Sequence, residues 1–233
     1  MPTPDIPKVE IAIVEMTNAI RKQNNLSAVK SNPDLAEAAQ AYAKFLATST
    51  KFSHTADGRH PSDRAAAAGY QACSVAENLS SNLDTRGFET RQLARDAVQG
   101  WLNSPGHRRN LLAENATDIG VAVAKSPGEE RYISVQMFGR PQALAHRFRV
   151  NNASGQAVSY TFLGKTTEIK PRYSIRHTSC ATGEIAFRNP GSEDVVARYK
   201  ARDGDRFVLR RTNDGIKVEL VRGDESTAKD QTN

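Results

Sequence analysis

Apolar residues at helical spacing run through the first half of the chain. Two long stripes recur every three or four positions, and each predicts an amphipathic helix that buries one face. The second stripe follows Asn32 and Pro33, a capping residue and a favoured first helical residue. Shorter helices are predicted over residues 61–69 and 88–102, so the first 115 residues are expected to be helical. The two stripes consist of Val9, Ile13, Met16 and Ile20, and of Leu35, Ala39, Tyr42 and Leu46.

The apolar spacing changes to every second residue after position 115. DIGVAVAK and RYISVQMFG alternate and are separated by the turn-forming SPGEE, which predicts a hairpin in an antiparallel sheet with the helices packed on it. Short alternating runs separated by turn sequences then predict a small all-β sandwich or barrel. We therefore predict an α+β chain with a first domain at 1–140, an all-β domain at 141–222 and a disordered polar tail at 223–233.

The composition is that of a globular protein without a membrane span. Apolar residues make up 38% and charged residues 25% of the chain, and no run approaches the roughly 18 apolar residues that a membrane helix needs. The first ten residues, MPTPDIPKVE, contain neither a basic nor an apolar segment, so we expect no signal peptide here. Either the protein is cytosolic or a leader has been removed.

The net charge of +6 is concentrated in the second part of the chain. Residues 1–140 carry 16 Lys and Arg against 15 Asp and Glu, whereas residues 141–233 carry 16 against 11, and 11 of those cations are Arg. This bias suits either a solvated β-surface or an anionic partner. No nucleic-acid-binding motif accompanies it, so we expect no nucleic acid and consider an anionic envelope polymer as the partner of residues 141–222.

The two cysteines, Cys73 and Cys180, lack the spacing of a zinc site. In an oxidising compartment they would form one disulfide that closes a loop of about 100 residues and contributes up to ~4–5 kcal/mol in the chain-entropy description. The alternative is two separate buried thiols. Composition leaves both open.

Three segments carry candidate chemistry: FSHTADGR with His54, SVAENLS with Glu77, and WLNSPGHRRNLL with His107. Ser104 is a good N-cap and Pro105 a good first residue, which places His107 third in a short helix. The positive helix end disfavours imidazolium and keeps this ring neutral. Taken singly, the histidines also suit structural hydrogen bonding, and Glu77 also suits capping of a turn or helix. The remaining histidines are expected at the surface or in strand pairing: His60, His146 and His177.

In this order and spacing the segments resemble the CAP superfamily, which includes cysteine-rich secretory proteins, antigen 5 and plant pathogenesis-related proteins, and especially its bacterial branch. The matching residues are Asn18 and Arg21, SH-x-x-DGR, AEN and W-x-x-SPGHR-x-NLL, within residues 9–140. The resemblance implies an α-β-α sandwich, export from the cell, and a cleft lined by His54, Glu77 and His107. Export in turn favours the Cys73–Cys180 bridge.

One departure from the family pattern concerns the second carboxylate of the cleft. Many eukaryotic relatives have a glutamate where this chain has Ser104, so mechanisms that need two carboxylates are weakened. The β-domain is similar to an appendage of some bacterial relatives, and that similarity implies no function.

The resemblance favours a secreted binding module for a lipid, sterol-like molecule, other small ligand or protein partner, with weak divalent metal binding as an addition. One alternative is a metal-assisted hydrolase or protease, in which His54 and His107 bind Zn²⁺ and Glu77 is a third ligand or general base. Another is an envelope-associated adhesive protein that binds through residues 141–222.

Overall fold

The computed structural model describes residues 1–222, and the chain divides into two compact units between Ala143 and Leu144. The predicted disordered tail, residues 223–233, lies outside the described residues. Each unit has its own buried apolar core.

The first unit contains helices and one sheet. Its helices within residues 1–143 are α1 (Ile6–Gln23), α2 (Pro33–Thr48), α3 (Pro61–Ala67), α4 (Thr90–Asn103) and α5 (Pro105–Leu111). The strands of the sheet are β1 (Lys30–Ser31), β2 (Ala72–Leu83), β3 (Asp118–Lys125) and β4 (Arg131–Pro141). They are hydrogen-bonded in the order β1-β3-β4-β2, so β2 is an edge strand.

The helix boundaries follow local signals. The Asn32 side chain accepts hydrogen bonds from the backbone N–H groups of Asp34 and Leu35, at 3.0 and 3.1 Å, and α2 begins at Pro33, as predicted. The first apolar stripe lies on α1, which ends at Asn24. No helix within residues 1–222 is long and apolar enough to cross a membrane.

Helices cover both faces of the sheet. Ile119, Val121 and Val123 of β3 pack with α1, α4 and α5, whereas Ala122 between them packs with α2 and α3. On β4 the predicted apolar set, which includes Val135, also faces α2 and α3. The apolar residues of the β3 run and those of the β4 run therefore point to opposite faces of the sheet, and both faces are buried. The predicted α-β-α sandwich is confirmed.

The prediction that the first 115 residues are helical is wrong in part, because they also include β1 and β2. The sequence of β2, ACSVAENLSSNL, shows no apolar alternation. As an edge strand it has a neighbouring strand on one side only. The side chains of Glu77 and Asn78 point to its two opposite faces, and each is hydrogen-bonded to a polar side chain there. Glu77 therefore lies in a strand and does not cap a turn or helix.

The second unit is a sandwich of two four-stranded sheets, and neither is closed into a barrel. The sheets have the orders β10-β9-β6-β7 and β12-β11-β5-β8, and their inward side chains form one core. The strands are β5 (His146–Asn152), β6 (Val158–Phe162), β7 (Lys165–Ile169), β8 (Ser174–Ser179), β9 (Gly183–Arg188), β10 (Val195–Ala201), β11 (Arg206–Thr212) and β12 (Gly215–Val221).

Three strands of this unit, β7, β8 and β10, have weak sequence signals. The alternating runs HRFRV, AVSYTFL, EIAFRN, FVLRR and IKVELV correspond to the other five strands, and within these three only His177 of β8 was expected in strand pairing. All three lie at sheet edges, where a strand buries less of its surface. Their burial patterns alternate between exposed and half-buried positions over most of their length. The apolar alternation that marks a central strand is therefore weak in them.

Both cysteines, Cys73 and Cys180, are disulfide-bonded, and neither is free. The predicted bridge is confirmed, and the alternative of two separate thiols is wrong. Disulfides persist in oxidising compartments and are rare in the cytosol.

Gly120 on β3 allows helix α2 to approach the sheet. A Cβ at this position would overlap the backbone of Leu35 and Ala36. We expect Gly120→Ala to lower the free energy of unfolding by about 3 kcal/mol, since two backbones must separate. Gly100→Ala is the matched control, because Gly100 is exposed in α4 with nothing within 4 Å of its Cβ position, and this change should raise stability by about 0.5 kcal/mol.

Urea unfolding followed by the fluorescence of Trp101 measures both glycine variants. This residue is the one tryptophan of the chain and is fully buried in the first unit. Equal stability of the two variants would contradict the close approach of α2 at Gly120.

Candidate functional site

A buried ion pair lies at the centre of the predicted site. Glu77 of β2 has a side chain that is 1% exposed, and Arg64 of α3 has one that is 4% exposed. Arg64 Nη2 donates to Glu77 Oε2 at 2.7 Å. A charge removed from water in this way is stable only if it is paired and hydrogen-bonded, so each residue fixes the position of the other.

Arg64 also organises the segment between α2 and α3. Its Nη1 donates to Asp57 Oδ1 and to the carbonyl of Arg59, both at 2.9 Å, and its Nη2 donates to the carbonyl of His54 at 2.9 Å. The guanidinium carbon lies 3.5 Å from the centroid of the Tyr42 ring, a cation–π contact. The backbone around His54 is thus tied to the buried ion pair.

Tyr42 of α2 holds the same segment from the other side. Its hydroxyl donates to the carbonyl of Ser53 and accepts from the N–H of Ala56 at 3.1 Å. These two bonds bracket His54 along the chain. The position of the imidazole is therefore set by α2 and α3 together.

His54 has one ring nitrogen held by the protein. Its Nδ1 lies 2.8 Å from Glu77 Oε1, and its side chain is 49% exposed. An ionised carboxylate can only accept, so Nδ1 carries the proton of this bond. In the neutral ring Nε2 then has a lone pair for a ligand.

His107 comes from the opposite layer of the sandwich. It is the third residue of α5, as predicted from Ser104 and Pro105. Its ring centroid lies 6.3 Å from that of His54, at an interplanar angle of 62°. The structure therefore brings His54, Glu77 and His107 together, with the two imidazoles side by side and the carboxylate buried behind His54.

Two details of this helix start differ from expectation. Ser104 is the N-cap residue of α5, but its side chain makes no capping hydrogen bond. Burial lowers the pKa of His107, and the charge on a protonated His54 lowers it further. The neutral form was predicted on the basis of the helix dipole, whereas desolvation and the neighbouring imidazole are the causes found here.

An amide network fixes α5 to the sheet behind the histidines. Asn78 Nδ2 donates to the carbonyl of His107 at 3.2 Å and to Gln136 Oε1 at 3.0 Å. Asn110 Nδ2 donates to the carbonyl of Glu77 at 3.1 Å and to Asn78 Oδ1 at 2.9 Å. Asn110 therefore holds the backbone of Glu77, and Asn78 holds that of His107. The two asparagines are also hydrogen-bonded to each other.

The other residues of the family pattern have structural positions. The Arg21 guanidinium is fully buried and donates to the carbonyl of Leu111, the last residue of α5, at 2.9 Å and to that of Ala113 at 3.0 Å. Asn18 is hydrogen-bonded to both the N–H and the carbonyl of Val29. Trp101 Nε1 donates to the carbonyl of Leu79 at 2.9 Å. These contacts join α1 to the segment before β1 and to the end of α5, and they join α4 to β2.

Four further residues belong to the site although their sequence positions did not predict it: Arg64, Tyr42, Asn110 and Gln136. Asp63 and Arg64 are the two charged residues at the start of the alanine run in SDRAAAA, and a charge beside such a run was a usable signal. Asn110 stands inside the quoted SPGHR-x-NLL motif. The position of Gln136 within the alternating β4 run gave no such signal.

The remaining histidines lie elsewhere. His60 is exposed before α3, as predicted. His146 pairs with Ser179, and His177 with Phe148, in the β5–β8 ladder, which agrees with the predicted strand pairing. His177 is also half-buried in the second core, where its Nε2 lies 2.7 Å from the Tyr160 hydroxyl.

Within residues 1–222 no group of three or more His, Cys, Asp or Glu side chains is arranged to hold a metal ion. In the site this follows from the position of Glu77, whose two oxygens face His54 and Arg64. The two imidazoles remain as the nitrogen donors there.

Residues 14–138 match the cysteine-rich secretory protein family, also called CAP. Two curated relatives from Bacillus subtilis (strain 168) are each 29% identical to the chain. Uncharacterized protein YkwD matches over 118 residues, 50% of this chain and 43% of the relative. Uncharacterized membrane protein YlbC matches over 126 residues, 53% of this chain and 34% of the relative. The chain therefore spans less than half the length of either.

Among solved structures, an extracellular protein with an SCP domain from Bacillus anthracis str. Ames superposes with a TM-score of 0.51 and 28% identity. The superposition covers 60% of this chain and 44% of the other.

We expect Glu77→Gln to lower the free energy of unfolding of the first unit by about 2 kcal/mol, because it removes one of the two carboxylates, Glu77 and Asp57, that pair with the buried Arg64 guanidinium. The control is Glu129→Gln, whose side chain is 49% exposed and lies 3.4 Å from Arg131, and this change should cost less than about 1 kcal/mol. Urea unfolding monitored at Trp101 measures both. A cost for Glu77→Gln as small as that of the control would show that the buried pair does not support the fold.

The lowered pKa of His107 predicts a pH dependence. The unfolded state takes up a proton near the ordinary value of 6.5, before the folded state does, so His107 should reduce stability as the pH falls below about 6.5. NMR titration of the ring should give a pKa for His107 below that value, and His54→Ala should raise it by removing a neighbouring positive charge. An unchanged His107 titration in His54→Ala would contradict the coupling of the two rings.

Proposed function

Because the chain belongs to the cysteine-rich secretory protein (CAP) family, we propose that its first unit is an extracellular binding module whose ligand contacts His54 and His107. The observation that carries the proposal is the pair of imidazoles, whose ring centroids lie 6.3 Å apart. The His54 side chain is half exposed, and the buried Glu77 carboxylate holds its ring. Rigid polar groups at an accessible position are typical of a binding site, because their orientation requires little ordering when the ligand arrives.

Two findings support a location outside the cytosol. The chain contains a disulfide, a bond typical of secreted proteins. The Bacillus anthracis neighbour is described as extracellular. We therefore infer that the protein acts outside the cell or at the cell envelope.

The state of Glu77 favours binding over hydrolysis. A general base must accept a proton from the attacking water within hydrogen-bond reach. Both Glu77 oxygens are already hydrogen-bonded, one to His54 and one to Arg64, and the side chain is 1% exposed. Ser104 stands where many eukaryotic relatives have a second carboxylate, so the site offers no replacement base at that position.

The same geometry suits a weak divalent metal site. Histidines that bind metals commonly donate their other ring N–H to a carboxylate, which fixes the ring and its tautomer. His54 has this partner in Glu77, and the lowered pKa of His107 favours the neutral ring that a metal requires. With two protein nitrogens, Zn²⁺ would keep its other positions for water or ligand, and a structural zinc site has four protein ligands. Binding should therefore be weak.

The organic ligand is a lipid, a sterol-like molecule, another small molecule or a protein, the classes that the family resemblance implies. The imidazoles offer hydrogen-bonding nitrogens, so we expect them to contact the polar end of such a ligand. The apolar part of the ligand would lie away from the two rings.

Calorimetry with Zn²⁺ as the probe tests the imidazole pair. We expect the wild-type protein to bind one ion near neutral pH, and His54→Ala and His107→Ala each to lose that binding by about tenfold or more, because each removes one of two nitrogen ligands. His60→Ala is the matched control, since His60 is exposed before α3, and it should bind as the wild type does.

Equal zinc affinity in the wild type and all three alanine variants would place any bound ion elsewhere. No heat of binding in the wild type would also overturn the metal site. The melting temperature of each variant should be close to that of the wild type, which shows that a loss of zinc binding is not caused by unfolding.

A further inference from the structure

Three arginines form a row on the outer face of one sheet in the second unit. Arg206 of β11 is in register with Arg149 of β5, and Arg149 is in register with Arg176 of β8. All three side chains are exposed. Side chains directly opposite on adjacent strands lie on the same face. We call Arg206, Arg149 and Arg176 the arginine row.

The backbone brings two of these charges especially close. Arg149 donates its N–H to the carbonyl of Asp205, toward β11. Its pairing with Arg176 in the antiparallel β5–β8 ladder is therefore of the non-hydrogen-bonded kind, in which Cα atoms are about 4.5 Å apart. Like charges directly opposite at this spacing destabilise a sheet. The row thus has an unfavourable energy unless something compensates it.

Among residues 1–222 no carboxylate lies within ion-pair distance of any arginine in the row. Other arginines of the same unit are paired: Arg198 with Glu184, and Arg210 with Glu219. The absence of a countercharge is thus a property of the row and not of the whole unit.

The row borders a concave surface. A cavity of about 280 Å³ is lined by all three arginines together with Arg147, and also by Phe148, Gly204 and Asp205. Asp205 is the acid of this lining; it is 2% exposed, and its Oδ2 accepts from Arg222 at 2.9 Å. The remaining charge at the mouth of the cavity is positive.

We infer that the arginine row is a binding site for an acidic polysaccharide whose carboxylates pair with the guanidinium groups. A guanidinium presents two parallel N–H donors that match a carboxylate, and it holds its charge at any physiological pH. Several fixed cations in line suit a polymer that presents several anions. The site lies in the second unit and does not depend on the proposed function of the histidine pair.

The neighbouring side chains favour sugar over nucleic acid or lipid. The outward positions next to the row on β5 and β8 are Arg147, which also lines the cavity, and Asn151, Ser174 and Thr178. The last three are short polar groups that can bond to hydroxyls. Ser174 Oγ donates to Asn151 Oδ1 at 2.7 Å. The outward positions of these two strands contain no aromatic ring for base stacking and no large apolar group to enter a bilayer.

The test is a binding titration of the full chain with polygalacturonate oligomers, with neutral dextran as the uncharged control. The wild type should bind the acidic oligomer at low ionic strength and release it as salt is added. Arg149→Gln/Arg176→Gln should lower the affinity by about tenfold or more, because two guanidinium partners are removed. Arg86→Gln/Arg198→Gln is the matched control. It removes the same charge from two exposed arginines that are paired with Asp84 and Glu184, and its affinity should stay within about twofold of wild type.

The row variant should fold, and its melting temperature should equal or exceed that of the wild type, because an opposed pair of like charges is removed. The single variants Arg149→Gln and Arg176→Gln provide a second series, and each should lose part of the affinity.

The proposal is overturned if both double variants weaken binding equally, which would indicate general attraction by net charge, or if the wild type does not bind. Tighter binding to single-stranded DNA or to phosphatidylglycerol vesicles than to polygalacturonate would also overturn it, since it would assign the row to another class of ligand.

Discussion

The buried pair of Arg64 and Glu77 is the interaction on which the site depends. Charges withdrawn from water are stable only when they are paired. Glu77 pairs with Arg64, and Arg64 pairs with both Glu77 and Asp57. Through Arg64 the pair holds Asp57 and the backbone of His54, and through Glu77 it holds the His54 ring. The His54 side chain is half exposed, but buried groups hold its ring in one orientation.

The sandwich explains how two remote histidines become neighbours. Helices cover both faces of the first sheet, and β2 is its edge strand. His54 approaches from the layer of α2 and α3, and His107 from the layer of α4 and α5, so the two can meet only beyond an edge. Asn78 and Asn110 then fix α5 to β2. Arg64 and the arginine row differ in how their charges are held, since Arg64 is buried and paired, whereas the row is exposed and has no carboxylate partner among residues 1–222.

The sequence predicted elements well where burial is symmetrical and poorly at edges. The central strands β3 and β4, β6 and β9, and β5 and β11 all have alternating apolar runs, because each is flanked by strands on both sides and contributes to a core. The edge strands β1, β2, β7 and β10 were missed for the converse reason, and β8 was expected only at His177. The edge strand β12 was predicted, because IKVELV alternates. The polar residues of β2 serve the site. The same residues interrupt the apolar alternation from which a strand is predicted.

The sequence by itself determined the helices, the central strands and the candidate residues His54, Glu77 and His107, because each depends on local spacing or on a short motif. Only the tertiary structure decided that Glu77 is enclosed by Arg64 and His54 while the imidazoles stay accessible, and that Arg149, Arg176 and Arg206 stand in one row. These relations join residues from 13 to 57 positions apart. They arise from strand register and helix packing, which no local pattern specifies.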